Sequence, residues 1–187
     1  MADSRTVPGR TGPDGPVAAI VVMGVTGCGK TAVGEAIARR LGWLFVEGDR
    51  LHPVENVAKM SRGEPLTDAD RAGWLDAIGA AIADGIAGGN GVVAACSALK
   101  RRYRDRLRSF EPNILFVHLA IDRETAWQRV SSRKGHFMPA SLVDSQFAAL
   151  EPPQADEFAM DLNGLLPVDE LSVRAAEVVP TALRQPI

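Results

Sequence analysis

The chain has 187 residues, of which 21 are Lys or Arg and 23 are Asp or Glu, so its formal net charge at pH 7 is −2. That charge gives no overall attraction to nucleic acid or to an anionic membrane, and we expect neither as a partner. A hydrophobic fraction of 46% suits one compact domain and argues against a disordered chain. The two cysteines, Cys28 and Cys96, do not indicate a disulfide framework, and they predict a cytoplasmic location.

The first sixteen residues are rich in Pro, Gly and charge, and we predict that they form a flexible tail. From residue 17 to 184 short apolar runs alternate with helical patterns and no linker interrupts them, which predicts a single domain. The predicted fold class is α/β, a doubly wound parallel five-stranded sheet flanked by helices. The runs predicted as strands are 18–23, 44–46, 92–96, 114–120 and, more weakly, 158–162.

The first predicted strand leads directly into a segment that matches G-x-x-x-x-G-K-[ST] at every fixed position. Glycines let consecutive backbone N–H groups converge on phosphate oxygens, and the following helix adds its positive N-terminal end. In such a loop Lys30 reaches the β- and γ-phosphates, and the hydroxyl of Thr31 holds Mg²⁺. A plain glycine turn is the weaker interpretation. The predicted nucleoside triphosphate site consists of Gly24, Val25, Thr26, Gly27, Cys28, Gly29, Lys30 and Thr31.

Two helices can be delimited from their end signals. The first has Val33, Ile37 and Leu41 at helical spacing and is predicted to stop at Gly42. The second is predicted to open near Thr67 and Asp68 and to end in the glycine-rich segment 88–91.

The second predicted strand ends in Glu47-Gly48-Asp49, which places two carboxylates on the same side of an extended segment. At the carboxyl edge of the sheet they would face the phosphate loop. Glu47 could hold Mg²⁺ through water, and Asp49 could accept a proton or a hydrogen bond from an attacking hydroxyl. An acidic surface turn is the alternative. The guanine-reading Asn-Lys-x-Asp motif does not occur, so a small kinase is favoured over a GTPase.

Arg129 and Arg133 are four residues apart and would share one face of a helix that starts near Glu124. Gly135 follows as a candidate hinge. We predict a mobile lid around residues 129–140 that closes over the nucleotide and brings both arginines to the transferring phosphoryl group. Ordinary surface arginines are the alternative.

The basic stretch 100–108 is predicted to be a helix whose charge is mostly solvated. Only Arg104, and less strongly Lys100, are expected to face the substrate, because the preceding strand delivers them to the ligand-binding edge of the sheet.

Beyond the phosphate loop, the informative blocks are 48–53, Asn56 with 59–60, 63–68, 70–75, 96–100, 103–104, 133–137 and 146–152. Together with the loop they resemble the gluconate kinase family, a branch of the shikimate and nucleoside-monophosphate kinase group. The resemblance runs from Met23 to about Pro152, and its blocks together are highly specific. Many relatives carry Asp at the position of Glu47, and the longer side chain of Glu47 keeps the charge.

The resemblance implies ATP-dependent phosphorylation of D-gluconate to 6-phosphogluconate, with Mg²⁺, by a soluble and commonly dimeric enzyme. Within the matching blocks, fixed cations would suit the carboxylate of the substrate, and groups that donate and accept hydrogen bonds would suit its hydroxyls. The candidate cations are Lys59, Arg71 and Arg104, and the candidate hydroxyl partners are Asp49, His52 and His136.

Three alternatives stay open on the residues alone. A nucleoside-monophosphate kinase is disfavoured because its Asp-Gly-Phe-Pro-Arg signature does not occur. A shikimate kinase has paired acids that look like Glu47 and Asp49. A non-catalytic, ATP-responsive binding protein would need only the phosphate loop.

Overall fold

The computed structural model describes Gly12 and residues 15–132 and 142–180. Over these residues the chain forms one five-stranded parallel sheet covered by helices on both faces, which confirms the predicted fold class. In chain order the elements are β1 Ala19–Met23, α1 Lys30–Leu41, β2 Leu44–Glu47, a 3-10 helix Gly48–Leu51, α2 Val54–Ser61, α3 Asp68–Ala87, β3 Val92–Ala95, α4 Arg101–Arg108, β4 Ile114–Ala120, α5 Arg123–Ser131, α6 Leu142–Ala149, β5 Ala159–Asn163 and α7 Val168–Glu177.

The strands lie in the order β2-β3-β1-β4-β5, and every neighbouring pair is parallel. All five predicted strands are present, and their ends agree with the prediction to within one residue. Because the strands are parallel, the phosphate loop after β1 and the acidic segment after β2 emerge at the same edge of the sheet. β3 lies between those two strands, so its carboxyl end separates the loop from the acids.

The core has two halves, one on each face of the sheet. In β1 the side chains of Ile20 and Val22 point to the face covered by α1 and α7, and those of Val21 and Met23 point to the face covered by α3 and α4. All of β1 is buried, as expected for a central parallel strand. The sheet is therefore a rigid base for the loops at its carboxyl edge.

The predicted helix ends are also present. Gly42 follows α1 in a left-handed conformation with φ of 68°, which a glycine adopts without steric cost. α3 begins with a capping box, in which the Thr67 side chain accepts from the Asp70 N–H and the Asp70 carboxylate accepts from the Thr67 N–H. This cap fixes the start of the helix that carries Arg71 and Trp74.

Candidate active site

The phosphate loop connects β1 to α1 through three glycines with positive φ. Gly24, Gly27 and Gly29 have φ values of 135°, 81° and 98°, which side chains other than glycine rarely tolerate. Gly29 is the N-cap of α1 and has no side-chain cap, so the first N–H groups of this helix face the loop. The local chemistry is that of an anion-binding cradle.

Hydrogen bonds from outside the loop hold it in place. The Thr26 N–H donates to Oε1 of Gln146 on α6 at 2.7 Å, and the Gly24 N–H donates to the Ser97 carbonyl after β3 at 3.2 Å. Arg129 on α5 donates to the Gly27 carbonyl at 3.3 Å. The loop is therefore tied to three separate elements of the domain.

Lys30 and Cys28 are two of the side chains that the loop carries. Lys30 Nζ donates to the Val25 carbonyl at 3.1 Å, so the ammonium group lies against the loop itself. The Cys28 thiol is buried, and burial raises its pKa although Lys30 acts in the opposite direction. Cys28 is therefore a protonated, packed side chain.

A cleft of about 440 Å³ opens beside the loop, and we name it the acceptor cleft. It combines the loop with side chains from the segment after β2, from α2, α3 and α6, and from the end of β3. Lys30 and Arg71 are its cations, and Glu35 and Asp49 are its carboxylates, among the described residues. Its lining consists of Thr26, Gly27, Gly29, Lys30, Thr31, Ala32, Glu35, Asp49, His52, Met60, Leu66, Arg71, Trp74, Ser97 and Gln146.

Asp49 owes its position to the residue before it. Gly48 is buried so tightly that a Cβ on it would collide with the Ala95 carbonyl oxygen of β3. The Trp74 indole donates from Nε1 to the Gly48 carbonyl at 2.8 Å, and Glu47 Oε1 accepts from the Asp49 N–H at 3.4 Å. The carboxylate of Asp49 is thus carried on a segment fixed from two sides.

His52 lies on Trp74 in the acceptor cleft, with ring centroids 4.1 Å apart and an interplanar angle of 12°. Burial lowers the pKa of His52 from 6.5 to about 4; the Asp49 carboxylate opposes that shift and Arg71 adds to it. Its Nδ1 atom is buried and has no hydrogen-bond partner in the part of the chain that the structure describes. His52 therefore presents a neutral ring with an unused ring nitrogen.

Arg71 enters the cleft from the first turn of α3. One of its nitrogens donates to the Leu66 carbonyl, and its guanidinium carbon lies 5.8 Å from the centroid of the Tyr103 ring. These contacts fix the planar guanidinium of Arg71, a permanently charged group, at one side of the cleft.

A second cleft of about 340 Å³ lies on the other side of the phosphate loop, and we name it the nucleoside cleft. The two clefts share Gly27 and Gly29. Arg129 lines the second cleft and also donates to the Gly164 carbonyl at 3.3 Å, so it bridges the loop and the segment after β5. The remaining lining residues are Cys28, Val33, Ser132, Gly164, Leu166, Val168 and Leu171.

Two predicted substrate cations lie elsewhere. Lys59 does not line the acceptor cleft, and its Nζ contacts both carboxylate oxygens of Asp70 at 2.9 Å. The expectation that Arg104 faces the substrate is wrong, because its side chain is completely buried and is ion-paired with Glu157. Lys100 likewise pairs with Asp68 at 2.9 Å. Arg133 and His136 lie outside the described residues, as does most of the predicted lid.

Other site residues were not singled out from the sequence. Trp74, Gln146 and Ser97 each line the acceptor cleft, and each also makes or supports a bond to the loop or to Gly48. All three fall inside the blocks that carry the family resemblance, which was the signal that could have identified them. Glu35 on α1 also lines the cleft, and its place in a helical pattern gave no such signal.

Comparisons with known proteins show which family and which solved structures the chain resembles. The family model described as shikimate kinase matches residues 26–151. A gluconokinase from Gluconobacter oxydans is 51% identical over 145 residues, which cover 78% of this chain and 82% of the relative. A sugar kinase from Janibacter has a TM-score of 0.85 at 41% identity, covering 91% of this chain and all of that one. A gluconokinase from Sinorhizobium meliloti has a TM-score of 0.77 at 46% identity, covering 87% and 91%.

Proposed function

Because this chain belongs to the gluconokinase family, we propose that it transfers the γ-phosphoryl group of ATP to D-gluconate and forms 6-phospho-D-gluconate. One observation connects the proposed reaction with particular residues of this chain. The acceptor cleft places Lys30 and Thr31 of the phosphate loop together with Asp49, His52 and Arg71, which suit a hydroxy acid.

ATP would lie across the phosphate loop from one cleft to the other. The loop N–H groups and Lys30 would hold the phosphates, with the γ-phosphoryl group at the acceptor cleft. The adenosine end would occupy the nucleoside cleft, where Arg129 supplies a planar cation between two backbone carbonyls. Under this arrangement Arg129 acts on the nucleotide from the side of the loop, while the predicted role of Arg133 in a lid stays a prediction.

The residues near the loop fit Mg²⁺. Thr31 and Asp49 line the acceptor cleft, and Glu47 lies two residues before Asp49 with its carboxylate bonded to the backbone there. Hydroxyl and carboxylate oxygens are the ligands that Mg²⁺ prefers, and one or two of them with the substrate phosphates suffice. We assign Thr31 and Glu47 as the residues that would hold the ion. When bound, it would neutralise charge on the phosphates.

The residues of the acceptor cleft can be matched to the chemical groups of gluconate. Arg71 is the cation beyond the loop that faces the cleft among the residues described, so we assign it to the gluconate carboxylate. His52, neutral and with an unused nitrogen, suits a sugar hydroxyl, and His136 stays a predicted second partner. Asp49 would orient the terminal hydroxyl and accept its proton.

The transfer would then be in line. The terminal hydroxyl oxygen of gluconate attacks the γ-phosphorus while the bond to the leaving ADP oxygen breaks, and the hydroxyl proton passes to Asp49. Lys30 stabilises the charge that spreads over the phosphoryl oxygens. The lid predicted at 129–140 would exclude water, because an open site would hydrolyse ATP.

The location and the oligomeric state belong to the proposal as well. None of the helices in the described part of the chain is long and apolar enough to cross a membrane. Both cysteines are buried free thiols, in keeping with the cytoplasmic location that we propose. We also propose a homodimer, on the family resemblance alone, with no nucleic-acid or membrane partner.

A shikimate kinase is the second candidate, because the matching family model bears that description and the cleft would suit another small hydroxy acid. A coupled ATPase assay with D-gluconate, shikimate and nucleoside monophosphates separates the candidates, with Lys30→Ala as the inactive control. We expect strong turnover on gluconate alone and a phosphorylated product by mass spectrometry. Turnover on shikimate alone, or nucleotide binding without turnover on any acceptor, would reject the proposal.

A further inference from the structure

The corner between β3 and α4 contains an unusual backbone conformation. Ala98 has a φ of 41° and is the one residue other than glycine with positive φ in the part of the chain that the structure describes. An L-residue pays a steric penalty there, because its Cβ approaches the following carbonyl. The conformation therefore has to be held by its surroundings.

This corner contacts both parts of the site. The residue before Ala98 is Ser97, which lines the acceptor cleft. The Ser97 carbonyl accepts the Gly24 N–H of the phosphate loop at 3.2 Å, continuing the β1–β3 ladder by one bond. A rotation of the backbone at Ala98 would therefore move one wall of the cleft and the first residue of the loop.

The group that holds the corner is the guanidinium of Arg104. Its Nη1 nitrogen donates to the carbonyls of Ala98 at 3.2 Å and Leu99 at 3.4 Å, and also to the Glu151 carbonyl at 3.0 Å. Because one nitrogen binds the carbonyls of two successive residues, it fixes the orientation of both peptide planes. The Arg104 side chain is completely buried, so its hydrogen bonds to these carbonyls are shielded from water.

Arg104 is itself held by Glu157. The two side chains form a bidentate pair, with Nε–Oε2 and Nη2–Oε1 distances of 2.6 Å. Arg108 at 3.3 Å and the Gln154 N–H at 3.0 Å also donate to this carboxylate. Burial acts to raise the pKa of Glu157, but the Arg104 hydrogen bonds and the other donors lower it to about 2, so the carboxylate is ionised.

A buried ion pair is weak support for stability, since apolar side chains of similar volume often replace one without loss. What apolar side chains cannot do is bond the three carbonyls that Arg104 bonds. We propose that Arg104, clamped by Glu157, is a positioning residue that holds Ala98 in its left-handed conformation and thereby sets Ser97 and the Gly24 end of the phosphate loop. The kinetic part of this inference rests on the proposed function.

The first test compares Arg104→Lys and Arg104→Met with Arg106→Met. Arg106 lies on the same helix and is paired with Asp76, both 43% exposed, so its loss leaves the corner unchanged. We expect the Arg104 variants to lose roughly tenfold to a hundredfold in kcat/KM, the range for small displacements of reacting groups, and Arg106→Met to match the wild type. Arg104→Lys serves if Arg104→Met does not fold. A folded Arg104→Lys with unchanged kcat and KM would overturn the inference.

The second test asks whether Arg104 affects the site through the backbone conformation of Ala98. Glycine adopts positive φ without a steric cost, so Ala98→Gly should restore a substantial part of the kcat/KM that Arg104→Lys loses. In the wild-type background Ala98→Gly should change kcat/KM little. A loss in Arg104→Lys that Ala98→Gly leaves untouched would mean that Arg104 acts through general packing, and the inference would fail.

A third readout does not depend on the substrate. Hydrogen exchange at the Gly24 amide should accelerate in Arg104→Lys, whereas exchange at Val117 in the centre of β4 should not. If this difference appears while the wild type fails to phosphorylate gluconate, the proposed function is wrong and the clamp stands. If gluconate is phosphorylated but the Gly24 amide exchanges as in the wild type, the clamp is wrong.

Discussion

The Trp74 indole supports the imidazole of His52 on one side while its Nε1 atom donates to the Gly48 carbonyl. One buried side chain of α3 thus sets both a candidate hydroxyl partner and the backbone that carries Asp49. The stack also removes His52 from water, and burial is the main cause of its pKa of about 4. A ring in this state accepts or donates a hydrogen bond without carrying charge at neutral pH.

The first prediction concerns stability at mildly acidic pH. In the unfolded chain His52 would have a pKa near 6.5, and in the folded protein its pKa is about 4, so the unfolded state binds more protons between these values. The free energy of unfolding should therefore fall as the pH is lowered from about 6.5 to about 4. His52→Phe keeps a ring on Trp74 but cannot titrate, so it should lack this component in urea unfolding across that pH range.

The wild type and His52→Phe contain the same carboxylates. The contributions of these carboxylates therefore cancel in the difference between the two free energies of unfolding. Asp68 and Asp70, for example, have pKa values of about 2, the former held there mainly by Tyr103 and the latter by Lys59. Parallel stability curves for the two proteins from pH 7 to about 4 would contradict the assignment of a buried, neutral His52.

The second prediction concerns the approach of Gly48 to β3. Gly48→Ala should destabilise the protein by about 1–3 kcal/mol, because the new methyl group would meet the Ala95 carbonyl and force the backbone to move. The same movement displaces Asp49, so kcat should fall as well. The matched control is Gly73→Ala on α3, where a Cβ meets no atom within 4 Å. That variant should be more stable by about 0.5–1 kcal/mol. Urea unfolding of both variants measures the contrast, and equal effects would contradict it.

The strands and the phosphate loop could be predicted because each depends on local pattern. Buried parallel strands are short apolar runs, and the loop is specified by glycines whose φ values only they adopt readily. The acceptor cleft is different, since its parts come together through contacts far apart in sequence. Trp74 fits an apolar helix stripe, and nothing near it indicates that its indole reaches Gly48.

Arg104 is a second case in which a contact between residues far apart in sequence could not be predicted. Its place after β3 indicated a side chain at the ligand edge, but its partner Glu157 lies 53 residues further along the chain. The loop from Glu151 to Glu157 covers α4 and supplies a buried carboxylate, which turns the guanidinium inward. A sequence pattern shows which residues carry charge, and it does not show which charges neutralise each other in the core.

The third prediction concerns Asp49 as the group that receives the hydroxyl proton. Asp49→Asn should lower kcat by about 10²–10⁴-fold, the usual contribution of a positioned acid–base group, and should change nucleotide binding far less. Asp76→Asn is the matched control, because it makes the same chemical change at an exposed pair with Arg106. Steady-state kinetics and nucleotide titration measure the two effects. An unchanged kcat in Asp49→Asn would remove Asp49 from the chemistry.

The fourth prediction concerns how the cleft distinguishes an acid from a neutral sugar. If Arg71 binds the gluconate carboxylate, Arg71→Met removes a charged hydrogen bond worth about 1.5–3 kcal/mol, which is roughly a tenfold to 150-fold loss in kcat/KM. Turnover of D-glucitol, which has the same chain length and no carboxylate, should hardly change. Arg71→Lys should recover only part of the loss, since an ammonium group lacks the planar fork.

The matched control for Arg71→Met is Arg62→Met, which removes an exposed arginine paired with Glu64 at the end of α2. Because an exposed ion pair of this kind contributes little to the structure, this variant should keep the wild-type preference for gluconate over D-glucitol. Measuring kcat/KM for both acceptors in all four proteins isolates the carboxylate contribution. Equal losses on gluconate and D-glucitol in Arg71→Met would assign Arg71 to the structure of the cleft and leave the carboxylate to another cation.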